Sequence, residues 1–391
     1  MRLVGIIAEY HPFHNGHAKQ IKMLREQGET KVLVAMSPQV VQRGELALLP
    51  AHIRARAALE GGADLVAAIP APYACATAQK FAAAGVAVLT ALGADTLAFG
   101  AERGKAEEFM ELARLLNSEA LSEPLKKELA KGTTFAQARA VALRQTAPRL
   151  SFLLDTPNNI LGVEYCRAIL EQNSPLKPLP LIRLGTGHDS NIPSPPYASA
   201  SWLRKIYREK GLDSWEPFVP PYALELYREA EREGLFLDQT RAETAILSRL
   251  RAMSTEQLAA IRHTGEGLDR RLERCIRETA TLEDLLTALK TKRYPLARLR
   301  RLVLDSALEY GDQLPELPPY LHILAGRREA LPLLKKAALP AGTSLTELET
   351  VNRAAFLVGK AHSRAEDLAA LCAHRPGRMG QAYTRPPVLL D

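Results

Sequence analysis

Two imidazoles three residues apart, His14 and His17, with Gly16 between them, have the types and spacing for phosphate chemistry. The apolar run Leu3-Val4-Gly5-Ile6-Ile7-Ala8 precedes them, and Ala18-Lys19-Gln20-Ile21-Lys22-Met23-Leu24 follows with helical spacing. The pair therefore sits where a buried strand turns into a helix. With the helix beginning near Phe13, both rings leave one face of its first turn. A helix start carries unpaired N–H groups and a partial positive charge, and Gly16 lacks the Cβ that would hold a phosphate off the backbone. The sequence contains no G-x-x-x-x-G-K-[ST] loop and no visible nucleophile triad, so its groups are charge stabilisers. The reaction that suits them is attack of a bound oxygen nucleophile on the α-phosphate of ATP, with pyrophosphate leaving while His14 and His17 meet the growing charge. Mg²⁺ accompanies the triphosphate in this reading, although no carboxylate cluster dedicates a cage to it.

The elements that position these residues follow from apolar runs bounded by turn residues. Lys31-Val32-Leu33-Val34-Ala35-Met36, Asp64-Leu65-Val66-Ala67-Ala68-Ile69, Asp95-Thr96-Leu97-Ala98-Phe99-Gly100 and residues 177–184 read as strands separated by helical segments. Repeated β-α-β crossovers of this kind build a Rossmann-like parallel sheet that binds ligands at the carboxyl ends of its strands. The sequence places Gln42-Arg43-Gly44-Glu45 there, as well as Gly100 and Arg183, the last just before Gly185-Thr186-Gly187. Ala198-Ser199-Ala200-Ser201-Trp202-Leu203-Arg204 opens a further helix, with Ser199 or Ser201 as its cap and Arg204 as a cation for phosphate. Residues 105–146 read as a helical flank to the sheet. Asn158 serves as the cap of a helix that opens after Thr156 and Pro157.

Strands are expected to stop beyond Gly211. Residues 1–212 form an α/β domain in this reading, and residues 213–391 an all-helical, basic one. The net charge of +7 and pI near 9.2 favour a polyanionic partner. The run Lys290-Thr291-Lys292-Arg293-Tyr294-Pro295-Leu296-Ala297-Arg298-Leu299-Arg300-Arg301 carries six cations and no acid, with Tyr294 as a stacking surface. Cys75, Cys166, Cys275 and Cys372 are scattered singly, which argues against disulfides and zinc. No run reaches eighteen apolar residues and no signal-peptide pattern is present, so a cytoplasmic location and no membrane partner are expected.

Glu9-Tyr10-x-Pro12-Phe13-His14-Asn15-Gly16-His17 resembles the H-x-G-H nucleotidyltransferase superfamily, and within it the tRNA(Met) cytidine acetate ligase family. Gln42-Arg43-Gly44-Glu45, Asn158-Asn159-x-Leu161-Gly162-x-Glu164-Tyr165, the Ser-rich turn before Arg204 and Thr291-Lys292-Arg293-Tyr294 extend the resemblance. The chain has His11 where the family usually has Asn, and Ser37-Pro38 where it has Ser-Gly. The resemblance implies an ATP site formed by Ile7, Ala8, Glu9, Tyr10, Phe13, His14, Gly16, His17, Gly100, Asn159, Arg183, Ser201 and Arg204, with His14, His17 and Arg204 catalytic. It implies RNA contacts by Lys290, Lys292, Arg293, Tyr294, Arg298, Arg300 and Arg301. It further implies that acetate is activated as acetyl-adenylate and passed to N4 of the wobble cytidine of elongator tRNA(Met), forming N4-acetylcytidine. Two alternatives share the phosphate site: a small-molecule nucleotidyltransferase of coenzyme synthesis, which needs no basic helical region, and a non-catalytic RNA-binding relative.

Overall fold

The structure is a computed structural model describing residues 2–182, 195–265 and 267–391, with the backbone alone at residue 136. Its strands are β1 (Arg2–Ala8), β2 (Thr30–Met36), β3 (Val40–Val41), β4 (Glu45–Leu46), β5 (Leu65–Ala68), β6 (Thr96–Ala101), β7 (Lys177–Ile182), β8 (Leu321–Arg327), β9 (Ala341–Gly342) and β10 (Val388–Leu390). The main sheet has the order β10-β8-β5-β2-β1-β6-β7, with β9 beside β8, while β3 and β4 form a small separate hairpin. From β5 to β7 every neighbouring pair is parallel. The inner strands β5, β2, β1 and β6 are buried along most of their length, as apolar strands covered by helices are, while the edge strand β7 is only partly buried. Gly5 and Gly85 let the helix Ala78–Ala91 lie directly on β1, since an added Cβ would come within 2.6 Å of Leu89 and Ile7 respectively.

Helix α1 (Asn15–Arg25) joins β1 to β2, and α2 (Ala51–Glu60) lies between β2 and β5. After β5 the chain returns past β1 to place β6 and then β7 on its other side. The strand order therefore reverses between β1 and β6, and a crevice opens beyond their carboxyl ends. The expected Rossmann-like α/β architecture is what these elements form, including the helical flank between β6 and β7.

The all-helical reading of residues 213–391 needs correction. Helices dominate there, but β8 pairs antiparallel with β5, matching Leu65 to Gly326, and β10 runs beside β8. An uncovered β5 edge would present a row of unpaired N–H and C=O groups, and β8 closes it. A buried ion pair adds a second tie: Arg262 contacts Asp305 at 2.8 and 2.7 Å and donates to the carbonyls of Pro72 and Cys75 at 2.7 and 2.6 Å. All four cysteines are buried free thiols, as expected.

Candidate active site at the β1 to α1 turn

The chain leaves β1 at Ala8 and enters α1 at Asn15, with His14, next to Phe13, at the cap position. His14 Nδ1 accepts the Gly16 N–H at 3.0 Å, and His17 Nδ1 accepts the His14 N–H at 3.3 Å, a reciprocal cap. Because both Nδ1 atoms accept, each neutral ring carries its proton on Nε2. The rings stack with centroids 3.8 Å apart, and His17 stands edge-on to Tyr10 at 4.8 Å. Tyr10 has φ of +46°, a left-handed conformation unusual for an aromatic residue and held here by complete burial.

This cap changes the expected phosphate site. The Asn15 N–H bonds the Phe218 carbonyl at 2.9 Å, and the His17 and Ala18 N–H groups bond the His14 carbonyl at 2.9 and 3.1 Å. With Gly16 held by the His14 ring, the first turn's backbone donors already have partners. The site therefore offers imidazole rather than open backbone. Gly16 serves this arrangement, because a Cβ there would stand 2.9 Å from His14 Cε1.

A cavity of about 630 Å³ opens at the reversal point, within the roughly 300–1,000 Å³ usual for small-molecule sites. Ile7, Ala8, Glu9, Tyr10, His14, Gly16, His17, Gly100, Ser201 and Arg204 line it. Lys19, Gln42, Arg43, Glu45 and Asn158 add polar groups, and Phe81, Phe99 and Tyr165 form an apolar wall. Ser199 is the cap of the Ala200–Lys210 helix, accepting the Trp202 N–H at 3.2 Å, which leaves Ser201 beside the cavity. Arg204 Nη1 donates to the His11 carbonyl at 2.8 Å, and its Nη2 lies 3.8 Å from Glu45. No three His, Cys, Asp or Glu side chains among the described residues gather into a metal cage.

Two residues expected at the nucleotide are not in the cavity wall. Phe13 is fully buried beneath His17 and is not in the cavity wall. Asn159 is also fully buried: its Oδ1 accepts the Glu102 N–H and its Nδ2 donates to the Arg103 carbonyl, both at 3.0 Å. It fixes the loop after β6, while its neighbour Asn158, expected as a cap, reaches the cavity. Thr156 is the residue at the cap position. Arg183 lies outside the described residues.

Buried polar groups hold the turn from behind. Arg54, wholly buried in α2, donates to the carbonyls of Glu9, Ser37 and Leu49 at 2.6, 2.9 and 2.9 Å and so joins the ends of β1 and β2. Its position among Ala51, Ala55 and Ala58 on the apolar face of α2 is the signal that sequence reasoning could have used. Burial raises the Glu9 carboxyl above its ordinary range, opposed by the Gln42 N–H and the charges of Arg204, Arg43 and Arg54.

His11 accepts the Leu48 N–H on Nδ1 at 3.2 Å, a role an Asn side-chain oxygen can also fill. Burial, with Arg204 and Arg54 nearby, holds its pKa well below the usual value. A depressed folded-state pKa stabilises the fold above about pH 6.5, and this contribution is lost as pH falls below it, at about 1.4 kcal/mol per pH unit. His11→Asn should remove that share of the slope. Urea unfolding of both proteins at pH 7 and pH 5 checks this; an unchanged difference between the two pH values would contradict it.

The basic run divides in two. Lys290, Lys292 and Arg293 are exposed. Tyr294 is buried, with the Arg298 guanidinium 4.7 Å from its ring centre, so it does not present the stacking face expected of it. Arg300 pairs with Glu45 at 2.6 Å, and Arg301 donates to the Gln42 carbonyl at 3.2 Å. The helix Leu296–Ala307 therefore rests against the loop that walls the cavity.

The family model of HIGH nucleotidyl transferases matches residues 1–374. The tRNA(Met) cytidine acetate ligase of Syntrophomonas wolfei is 34% identical over 416 aligned positions, covering 99% of each chain. That of Halalkalibacterium halodurans is 36% identical over 308, covering 77% of this chain and 74% of its own. The crystal structure of Thermotoga maritima TmcAL bound with α-thio ATP superposes with a TM-score of 0.90 at 27% identity, covering both chains fully. With its first helix capped by the two histidines of the H-x-G-H string, the chain belongs to the tRNA(Met) cytidine acetate ligase family of HIGH nucleotidyl transferases.

Proposed function

We propose that this protein uses ATP to activate acetate as acetyl-adenylate and transfers the acetyl group to N4 of the wobble cytidine of elongator tRNA(Met) in the cytoplasm. The observation that carries the reading is the stacked His14 and His17 pair at the start of α1, opening into a nucleotide-sized cavity together with Arg204. In this reading the Nε2 donors of both rings bind phosphate oxygens, and Lys19, Arg43 and Arg204 supply the counter-charge. An acetate oxygen attacks the α-phosphorus and the bond to pyrophosphate breaks. The cytidine amine then attacks the acetyl carbonyl, and AMP leaves with the bonding pair. Mg²⁺ would arrive on the triphosphate, with the Glu9 and Glu45 carboxylates the acidic groups of the cavity wall. Likeness to an α-thio ATP complex and to curated tRNA(Met) cytidine acetate ligases supports ATP and tRNA as substrates.

Acetate-dependent exchange of pyrophosphate into ATP, followed by transfer of labelled acetate to unmodified tRNA(Met), tests the proposal. Exchange without transfer to any RNA would return the chain to the small-molecule reading; neither activity would leave an RNA-binding protein. For the RNA surface, replacing exposed Lys290, Lys292 and Arg293 together with Gln should lower the slope of log affinity against log salt by about 2. Exchange should continue in that variant. A filter-binding series across salt concentrations checks it, and an unchanged slope would make the segment a solvated surface.

A further inference from the structure

We propose that Glu45 is a positioning residue that links the ATP cavity to the basic run, making triphosphate and RNA compete through two arginines. The inference rests on the reading that residues 290–301 hold RNA. Glu45 lies between those arginines, with Oε1 2.6 Å from Arg300 Nη1 and Oε2 3.8 Å from Arg204 Nη2. Arg204 lines the cavity, and Arg300 is partly exposed on the basic run, so each can also reach an anion.

The loop that carries Glu45 is fixed to both sides. Gly44 has φ of +77°, and a Cβ there would stand 2.5 Å from the Arg301 backbone nitrogen, so the loop lies directly on the Leu296–Ala307 helix. Gln42 accepts from Arg301 at 3.2 Å and donates its own N–H to Glu9 in the cavity wall at 2.7 Å. A displacement of either arginine is therefore felt at the other site through a few short contacts.

The sign of the coupling follows from charge. Arg300 neutralises Glu45 and so shields a triphosphate on Arg204 from a nearby carboxylate. An RNA phosphate that takes the Arg300 fork removes that shield, leaving Glu45 to pair with Arg204 and repel the triphosphate. RNA then weakens triphosphate binding, and by linkage the triphosphate weakens RNA binding by the same factor. Release of pyrophosphate removes most of the nucleotide's negative charge, so the penalty relaxes once the adenylate has formed. Glu45 thus favours adenylation before RNA is engaged.

The test is a binding cycle on the full chain, with α,β-methylene ATP titrated calorimetrically in the absence and presence of saturating unmodified tRNA(Met) transcript. In the wild type the transcript should raise the analogue's Kd about fivefold. Glu45→Gln should reduce that factor below about twofold, and Arg300→Met, which breaks the same link from the other side, should do likewise. The second variant also decides the matter if the first does not fold. Equal factors in wild type and both variants would assign the antagonism to direct repulsion between the two polyanions and overturn the proposal. A transcript that binds without changing analogue affinity would overturn the coupling alone, whereas one that does not bind would overturn the RNA reading together with it.

Discussion

Asp305→Ala should lower the unfolding free energy by about 3–5 kcal/mol, because it leaves the Arg262 guanidinium buried without its carboxylate. Both side chains are nearly inaccessible, at 8% and 1% exposure, so water cannot replace the lost partner. The Arg262 contacts to the Pro72 and Cys75 carbonyls would remain, but a carbonyl dipole does not neutralise a buried cation. Attraction between the ions is largely offset by their desolvation, so an isosteric apolar pair can do as well as the ions. The double replacement Arg262→Met with Asp305→Leu should therefore regain most of the loss. Urea unfolding of the wild type, the single variant and the double variant measures this. A single variant within about 1 kcal/mol of wild type would mean that the pair does not tie residues 213–391 to the sheet.

That ion pair shows where sequence reading stops. The β1 strand, the turn and α1 were legible because their signal is local: an apolar run, a proline and an H-x-G-H string fall within fifteen residues. The strands β2, β5, β6 and β7 were legible for the same reason, each being an apolar run between turn residues, whereas the short β3 and β4 hairpin read only as a polar loop. By contrast, β8 depends on an edge about 260 residues earlier in the chain, and nothing in Leu-His-Ile-Leu-Ala-Gly-Arg alternates strongly enough to declare a strand.

At the site, residue type was legible but neighbours were not. Asn158 and Asn159 are adjacent on one helix, so their side chains point about 100° apart. Which of them reaches the cavity is decided by the backbone of Glu102 and Arg103, more than fifty residues away. Arg54 acquires its role only when Glu9, Ser37 and Leu49 turn three carbonyls towards it. Tyr294 reads as a stacking residue in a basic string, yet folding buries it beneath Arg298.

His17→Gln should slow acetate-dependent pyrophosphate exchange by about 10²–10³ while leaving the fold intact. Alanine would confound two losses, since His17 Nδ1 also accepts the His14 N–H at 3.3 Å and closes the cap of α1. Loss of such a cap alone costs about 0.5–2 kcal/mol of stability. Gln at the third helical position is a normal capping-box residue whose side-chain oxygen can accept the same N–H, so the substitution keeps the cap and removes the imidazole. What it cannot supply is the stacked ring whose Nε2–H stands beside His14 at the cavity wall. The predicted magnitude is that of removing one preorganised donor from a developing anion, where the donor's orientation is already fixed before substrate arrives. Thermal unfolding and exchange measured on the same preparation separate the two effects. A folded His17→Gln protein exchanging within about threefold of wild type would show that His17 acts on the helix start alone, and the charge on the phosphates would then fall to His14, Lys19, Arg43 and Arg204.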